Sequence, residues 1–164
     1  MPDEYECNRA RRRMEAEVER RRRERGEVRD LENTQRELEG KVREAESNLR
    51  EAEQHLREKH GDLGTIVNEW REVKRKLNGF LGPDNDLELE QLKNQFEQLE
   101  KRKHEAEGVQ READGRVKDR ESQLRTARSE VRGNKELLAA AKSRESQSEE
   151  NIQKIQSDID KYCN

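Results

Sequence analysis

Aromatic side chains make up only 3% of this 164-residue chain, and apolar residues of every kind only 27%. An ordinary globular domain is about 45–50% apolar. So little apolar material cannot wrap a three-dimensional core, which excludes α/β enzyme folds, barrels and sandwiches. Proline occurs twice, at Pro2 and Pro83, so almost nothing interrupts a helix. No apolar run approaches the roughly 18 residues of a membrane span. There are two cysteines, Cys7 and Cys163, one near each end. They form no CxxC pair and lie near no histidine cluster, so no metal site and no cofactor is expected. The first residues lack the charged and apolar regions of a signal peptide, and no Asn-x-Ser/Thr acceptor occurs. An intracellular setting, cytoplasm or nucleus, is the expectation.

Charge is what the chain has in excess. Asp, Glu, Lys and Arg make up 46% of it, as 36 basic and 39 acidic residues with a net charge of -3. Both signs at such density argue against a simple polyanion binder or an acidic tail. Two classes survive this composition, a disordered chain or long helices packed along a narrow seam.

A seven-residue repeat decides between them. Steps of seven from Cys7 give Met14, Arg21, Val28, Gln35, Val42, Leu49, Leu56, Leu63, Trp70 and Leu77. Steps from Ala10 give Glu17, Glu24, Leu31, Leu38, Ala45, Ala52, Lys59, Ile66, Val73 and Phe80. The series alternate at spacings of three and four, the a and d positions of a coiled coil. A second pair starts at Leu89 and Leu92 and ends at Ile159 and Tyr162. Of these 44 positions 33 are apolar, out of 45 apolar residues in all. That concentration rules out disorder as the main reading. It also explains the low apolar content, because a two-helix seam needs two positions in seven.

The register slips between Phe80 and Leu89, at Gly82-Pro83-Asp84-Asn85-Asp86. Gly ends helices, Pro cannot continue one, and Asn or Asp caps the next. The expected architecture is therefore all-α, an antiparallel two-helix coiled-coil hairpin. A lead-in over 1–6 precedes helix 1 over 7–80, a tip loop over 81–88 and helix 2 over 89–162. At 1.5 Å per residue the helices make a single rod of roughly 110 Å.

If Phe80 faces Leu89, facing residues have numbers that sum to 169. The tip layers then join Phe80 to Leu89, Leu77 to Leu92, Val73 to Phe96 and Trp70 to Leu99. Every core alanine meets a larger partner, as in Val28–Ala141, Ala45–Leu124 and Leu56–Ala113. Among polar residues Gln35 meets Asn134, Lys59 meets Gln110 and Arg21 meets Ser148. Glu17, Lys103 and Arg120 meet apolar partners, and Glu24 against Glu145 is a poor layer. A parallel homodimer would instead pair each alanine with itself and leave underpacked layers. A domain-swapped antiparallel dimer keeps every layer, so self-association stays open. Cys7 comes opposite Tyr162 with Cys163 next along, which places both thiols at the base. A disulfide clasp there competes with two free thiols.

Residues 9–29 form the strongest charge patch. Arg9, Arg11, Arg12, Arg13, Arg20, Arg22 and Arg23 read either as a phosphate-contacting surface for nucleic acid or anionic lipid, or as a solvated face. Interspersed Glu and Asp and the acidic segment opposite favour the solvated face. The polar layers around Glu17 and Glu24 mark where local opening is expected. Trp70 belongs to the core near the tip, although an exposed tryptophan would anchor a partner. His55, His60 and His104 lie outside the seam, and no P-loop or catalytic constellation occurs. The chain is not expected to be an enzyme or to bind a small molecule.

With both ends at the base and heptads throughout, the architecture resembles the arms of SMC and Rad50-type chromosome ATPases. The resemblance is one of shape and heptads. The chain carries no head motif, no hinge domain and no CxxC zinc hook. It implies a structural arm or spacer, a piece of a larger protein, which presents surfaces to protein partners at tip or base. The alternatives are a basic module for nucleic acid or anionic membrane, and a dimerisation rod.

Overall fold

The computed structural model describes residues 3–80 and 86–164. Two α-helices account for nearly all of them, α1 over Glu4–Asn78 and α2 over Asp86–Cys163. They pack against each other antiparallel, as the heptad phase requires, and no strand occurs among the described residues. The segment 81–85, which carries most of the expected tip loop and its capping residues, lies outside the described residues.

The helix ends depart from the expected boundaries for local reasons. α1 begins at Glu4, inside the expected lead-in, because Asp3 caps it. The Asp3 Oδ1 accepts from the Glu6 backbone N–H at 3.1 Å, and its carbonyl accepts from Cys7 N–H at 2.8 Å. Glu4 and Glu6 in the first turn and Arg75 and Lys76 in the last complement the helix dipole. α1 stops at Asn78, short of Phe80, whose N–H turns back to the Leu77 carbonyl at 3.3 Å. α2 starts at Asp86, before Leu89, and runs one residue past Tyr162.

Every residue of the four heptad series is buried or half-buried. All the fully buried residues belong to them: Cys7, Ala10, Val28, Leu99, Ala113, Val117, Leu124, Ala141 and Ile155, together with Glu24, Gln35, Asn134 and Ser148. Ala10, Ala113, Ala141 and Ser148 are the least exposed of that set, because a narrow seam closes best where one helix offers a small side chain.

The chain divides into two compact units, and both helices contribute to each. A base unit comprises residues 1–42 and 126–164, and a tip unit comprises 43–125. In the base unit Gln35 and Asn134 meet across the seam, in agreement with the expected register. In the tip unit Leu99 is the most deeply buried of the expected anchors, while Trp70, Val73, Leu77, Phe80, Leu89, Leu92 and Phe96 are half-buried.

Candidate functional site

The base unit holds the chemistry that the heptad pattern leaves unexplained. Cys7 in α1 and Cys163 in α2 are joined by a disulfide with Cα atoms 5.0 Å apart. The bond falls one residue along from the Cys7–Tyr162 layer. Tyr162 lies beside it with the Lys161 ammonium 5.0 Å from its ring centroid. One covalent link thus joins positions 156 residues apart.

Beyond the apolar positions Ala10, Met14, Ile155 and Ile159 the seam turns polar, and long side chains there find partners outside their nominal layers. Arg21 and Ser148 take other hydrogen-bond partners than each other. The Arg21 Nη2 bonds to Glu149 Oε1 at 3.2 Å, while its Nε is buried without a partner. Ser148, with no exposed surface, instead donates its hydroxyl to Glu24 Oε2 at 3.0 Å. The other oxygen of Glu24 takes Arg20 Nε at 3.1 Å. Glu145 in turn accepts from Arg25 Nε at 3.2 Å, so each carboxylate of the Glu24–Glu145 layer has an arginine partner. Glu17, expected against an apolar partner, accepts from Asn151 Nδ2 at 3.1 Å. The physical reason is reach. A glutamate side chain reaches nearly one helical turn and an arginine more, so it turns out of its nominal layer to find a donor or acceptor rather than stay buried and unpaired.

The arginine-rich stretch resolves into two populations. Arg13 pairs with Asp158 at 3.2 Å, Arg25 with Glu145 and Glu149, Arg21 with Glu149, and Arg20 with Glu17 and Glu24. Across the seam Glu27 is taken by Arg144 at 2.8 Å. Arg9 and Arg22 make only loose same-helix contacts, to Glu6 and Glu19, both at 3.8 Å. Arg11, Arg12, Arg23 and Arg29 are exposed and make no ion pair among the described residues. The solvated-face reading therefore accounts for the arginines beside the seam, where the acids of α2 reach them. It leaves those on the outer face without a partner.

The tip unit shows the same re-sorting. Trp70 stacks on Phe96, with ring centroids 5.8 Å apart, rather than on Leu99 alone. The ammonium groups of Lys103 and Lys74 sit 4.2 and 4.8 Å from its ring centroid. Lys103, an unpromising core residue in sequence, thus covers the face of an indole. Trp70 Nε1 is buried without a hydrogen bond. Lys59 and Gln110 each take another polar partner. Lys59 turns to Asp62 at 3.7 Å, and Gln110 Nε2 lies 3.1 Å from His60 Nδ1. Sequence reasoning passed over His60. Its signal was its place immediately after a d position, where flanking side chains reach across a coiled coil. Arg120 bonds to Gln123 Oε1 at 3.0 Å within its own helix.

His55 and His104 join no cluster. Among the described residues no group of three His, Cys, Asp or Glu is arranged to hold a metal ion. No helix among them is long and apolar enough to cross a membrane. No family model matches the chain, and no curated protein or solved structure matches it.

Proposed function

We propose that the chain is a non-enzymatic structural arm, a coiled-coil spacer in a larger protein that presents surfaces to protein partners. The observation that carries this reading is the economy of the seam. All heptad positions turn inward onto one partner helix, and Cys7–Cys163 ties the two ends of the chain together. A segment that enters and leaves at one place and spends its apolar residues on a single seam suits projection from a neighbouring domain.

The clasp bears on where the protein works. Structural disulfides persist in oxidising compartments, whereas cytosolic thiols are kept reduced. An arm in the cytoplasm or nucleus would carry Cys7 and Cys163 as thiols at its base, and an arm in an oxidising compartment would be locked.

Light scattering on the purified chain, with and without reductant, tests the arm against the dimerisation rod. The arm predicts a mass of 19.5 kDa in both conditions. Twice that mass in reductant would make self-association the function instead.

A further inference from the structure

We propose that the outer face of α1 in the base unit is a contact surface for the phosphodiester backbone of double-stranded nucleic acid. The proposal goes beyond the spacer reading and does not depend on it. Arg11, Arg22 and Arg29 are separated by eleven and seven residues, close to three and two turns of helix. They therefore lie along one line on α1, over about 27 Å at 1.5 Å per residue. Arg12 and Arg23, again eleven apart, run beside them. All five are exposed.

Three of the six carboxylates among residues 9–30 are turned toward α2. Glu17, Glu24 and Glu27 are bonded to Asn151, Ser148 and Arg144 on α2. Only Glu15, Glu19 and Asp30 remain on the arginine side, and Glu19 is loosely held by Arg22. Between the arginines lies a hollow bordered by Val18, Arg21, Arg22, Arg25, Gly26 and Arg29. A Cβ added to Gly26 would meet nothing within 4 Å, so the floor of the hollow is open. Arg21 and Arg25 are held by Glu149 and Glu145 and Arg22 loosely by Glu19, which leaves the Arg29 guanidinium fork beside the open floor to match the oxygens of a phosphate. Arg29 borders that hollow and makes no ion pair among the described residues.

The pattern favours a duplex over other polyanions. A single strand is held by base stacking on aromatic rings, and residues 9–29 contain none. A bilayer takes up an apolar helix face, and Val18 is the one large apolar side chain exposed in that stretch. A line of cations over several turns matches a line of phosphates.

The test is fluorescence anisotropy with a labelled duplex DNA of about 25 base pairs at about 50 mM salt. Flotation with vesicles of neutral and anionic phospholipid is run in parallel. Three phosphate contacts predict binding about 40-fold weaker at 200 mM salt, from a log–log slope of about -0.9 per contact. R11E/R22E/R29E should weaken duplex binding at least tenfold with an unchanged circular dichroism spectrum. R11Q/R22Q/R29Q should do so more mildly if the reversed charges disturb the fold. The control K93E/K101E/R116E, at exposed sites of the tip unit, makes the same change in net charge and should leave binding within twofold. No anisotropy change at 50 mM salt overturns the proposal. So does an equal loss in the control, and so does retention by anionic vesicles without retention of the duplex.

Discussion

Asn134 on α2 donates through Nδ2 to Gln35 Oε1 on α1 at 2.8 Å, and the same group lies 3.1 Å from the Leu31 carbonyl. Both side chains are buried, and Gln35 Nε2 continues the network to Glu39 at 3.1 Å. A slip of one heptad would set Asn134 against Val28 or Val42 and leave its amide unpaired. The pair thus works as a register device, the best-attested use of a buried polar layer in a coiled coil. Asn134→Leu strands the Gln35 amide and should cost about 1–3 kcal/mol in urea unfolding. Adding Gln35→Leu should recover most of that loss. A double variant as unstable as the single one would show that packing, not the hydrogen bond, sets the cost.

The clasp closes a loop with a sequence separation of 156. Chain-entropy arguments put its contribution at about 5 kcal/mol. C7S/C163S should lower the urea midpoint accordingly. Only the layers at Ala10 and Met14 separate the clasp from the polar ones at Glu17, Arg21 and Glu24, so amide exchange should accelerate first in residues 4–24 and 145–163. Acceleration spread evenly along both helices would mean that these layers are no weaker than the apolar ones.

Three interior glycines are open to improvement. A Cβ on Gly61, Gly64 or Gly115 would meet nothing within 4 Å, and none of the three has a positive φ. Each Gly→Ala change should add about 0.5–1 kcal/mol, measured by thermal unfolding. Gly79 differs, because its Cβ would come 3.3 Å from the Arg75 carbonyl oxygen. Alanine there should gain nothing.

The Arg75 guanidinium donates to Glu72 Oε1 at 2.7 Å, and this bond, with the charge behind it, holds the Glu72 carboxyl below the usual carboxylate range. A depressed folded-state value means stability present above the unfolded pKa and lost as pH falls through the folded one. The site is fully exposed, so solvent screens the gain. NMR titration should show Glu72 returning to the ordinary range in Arg75→Gln. An unchanged titration would mean that the contact is not populated in solution.

Most of the architecture was legible as arithmetic. The heptad series assigned all inward-facing positions from Cys7 to Phe80 and from Leu89 to Tyr162, because a two-helix seam repeats every 3.5 residues and tolerates little else. The Gln35–Asn134 layer followed from the same register. The partners of Trp70, Arg21, Glu24, Lys59 and Gln110 did not. Apolar side chains stay in their layers, whereas long polar ones travel a turn to find a hydrogen bond. The basic stretch was legible as a composition but not as a surface, since which arginines are neutralised depends on acids more than a hundred residues away.

What the sequence by itself determined is the class, the number of helices and the face each one buries. Those follow from periodicity, and periodicity is a local property of the chain. What only the tertiary structure decided is which groups meet. Cys7 reaches Cys163 rather than standing free, Ser148 serves Glu24, and Arg11, Arg12, Arg23 and Arg29 make no ion pair among the described residues. These outcomes turn on distances of a few ångströms between two helices, and a heptad sets the layer of a side chain but not the atom it touches.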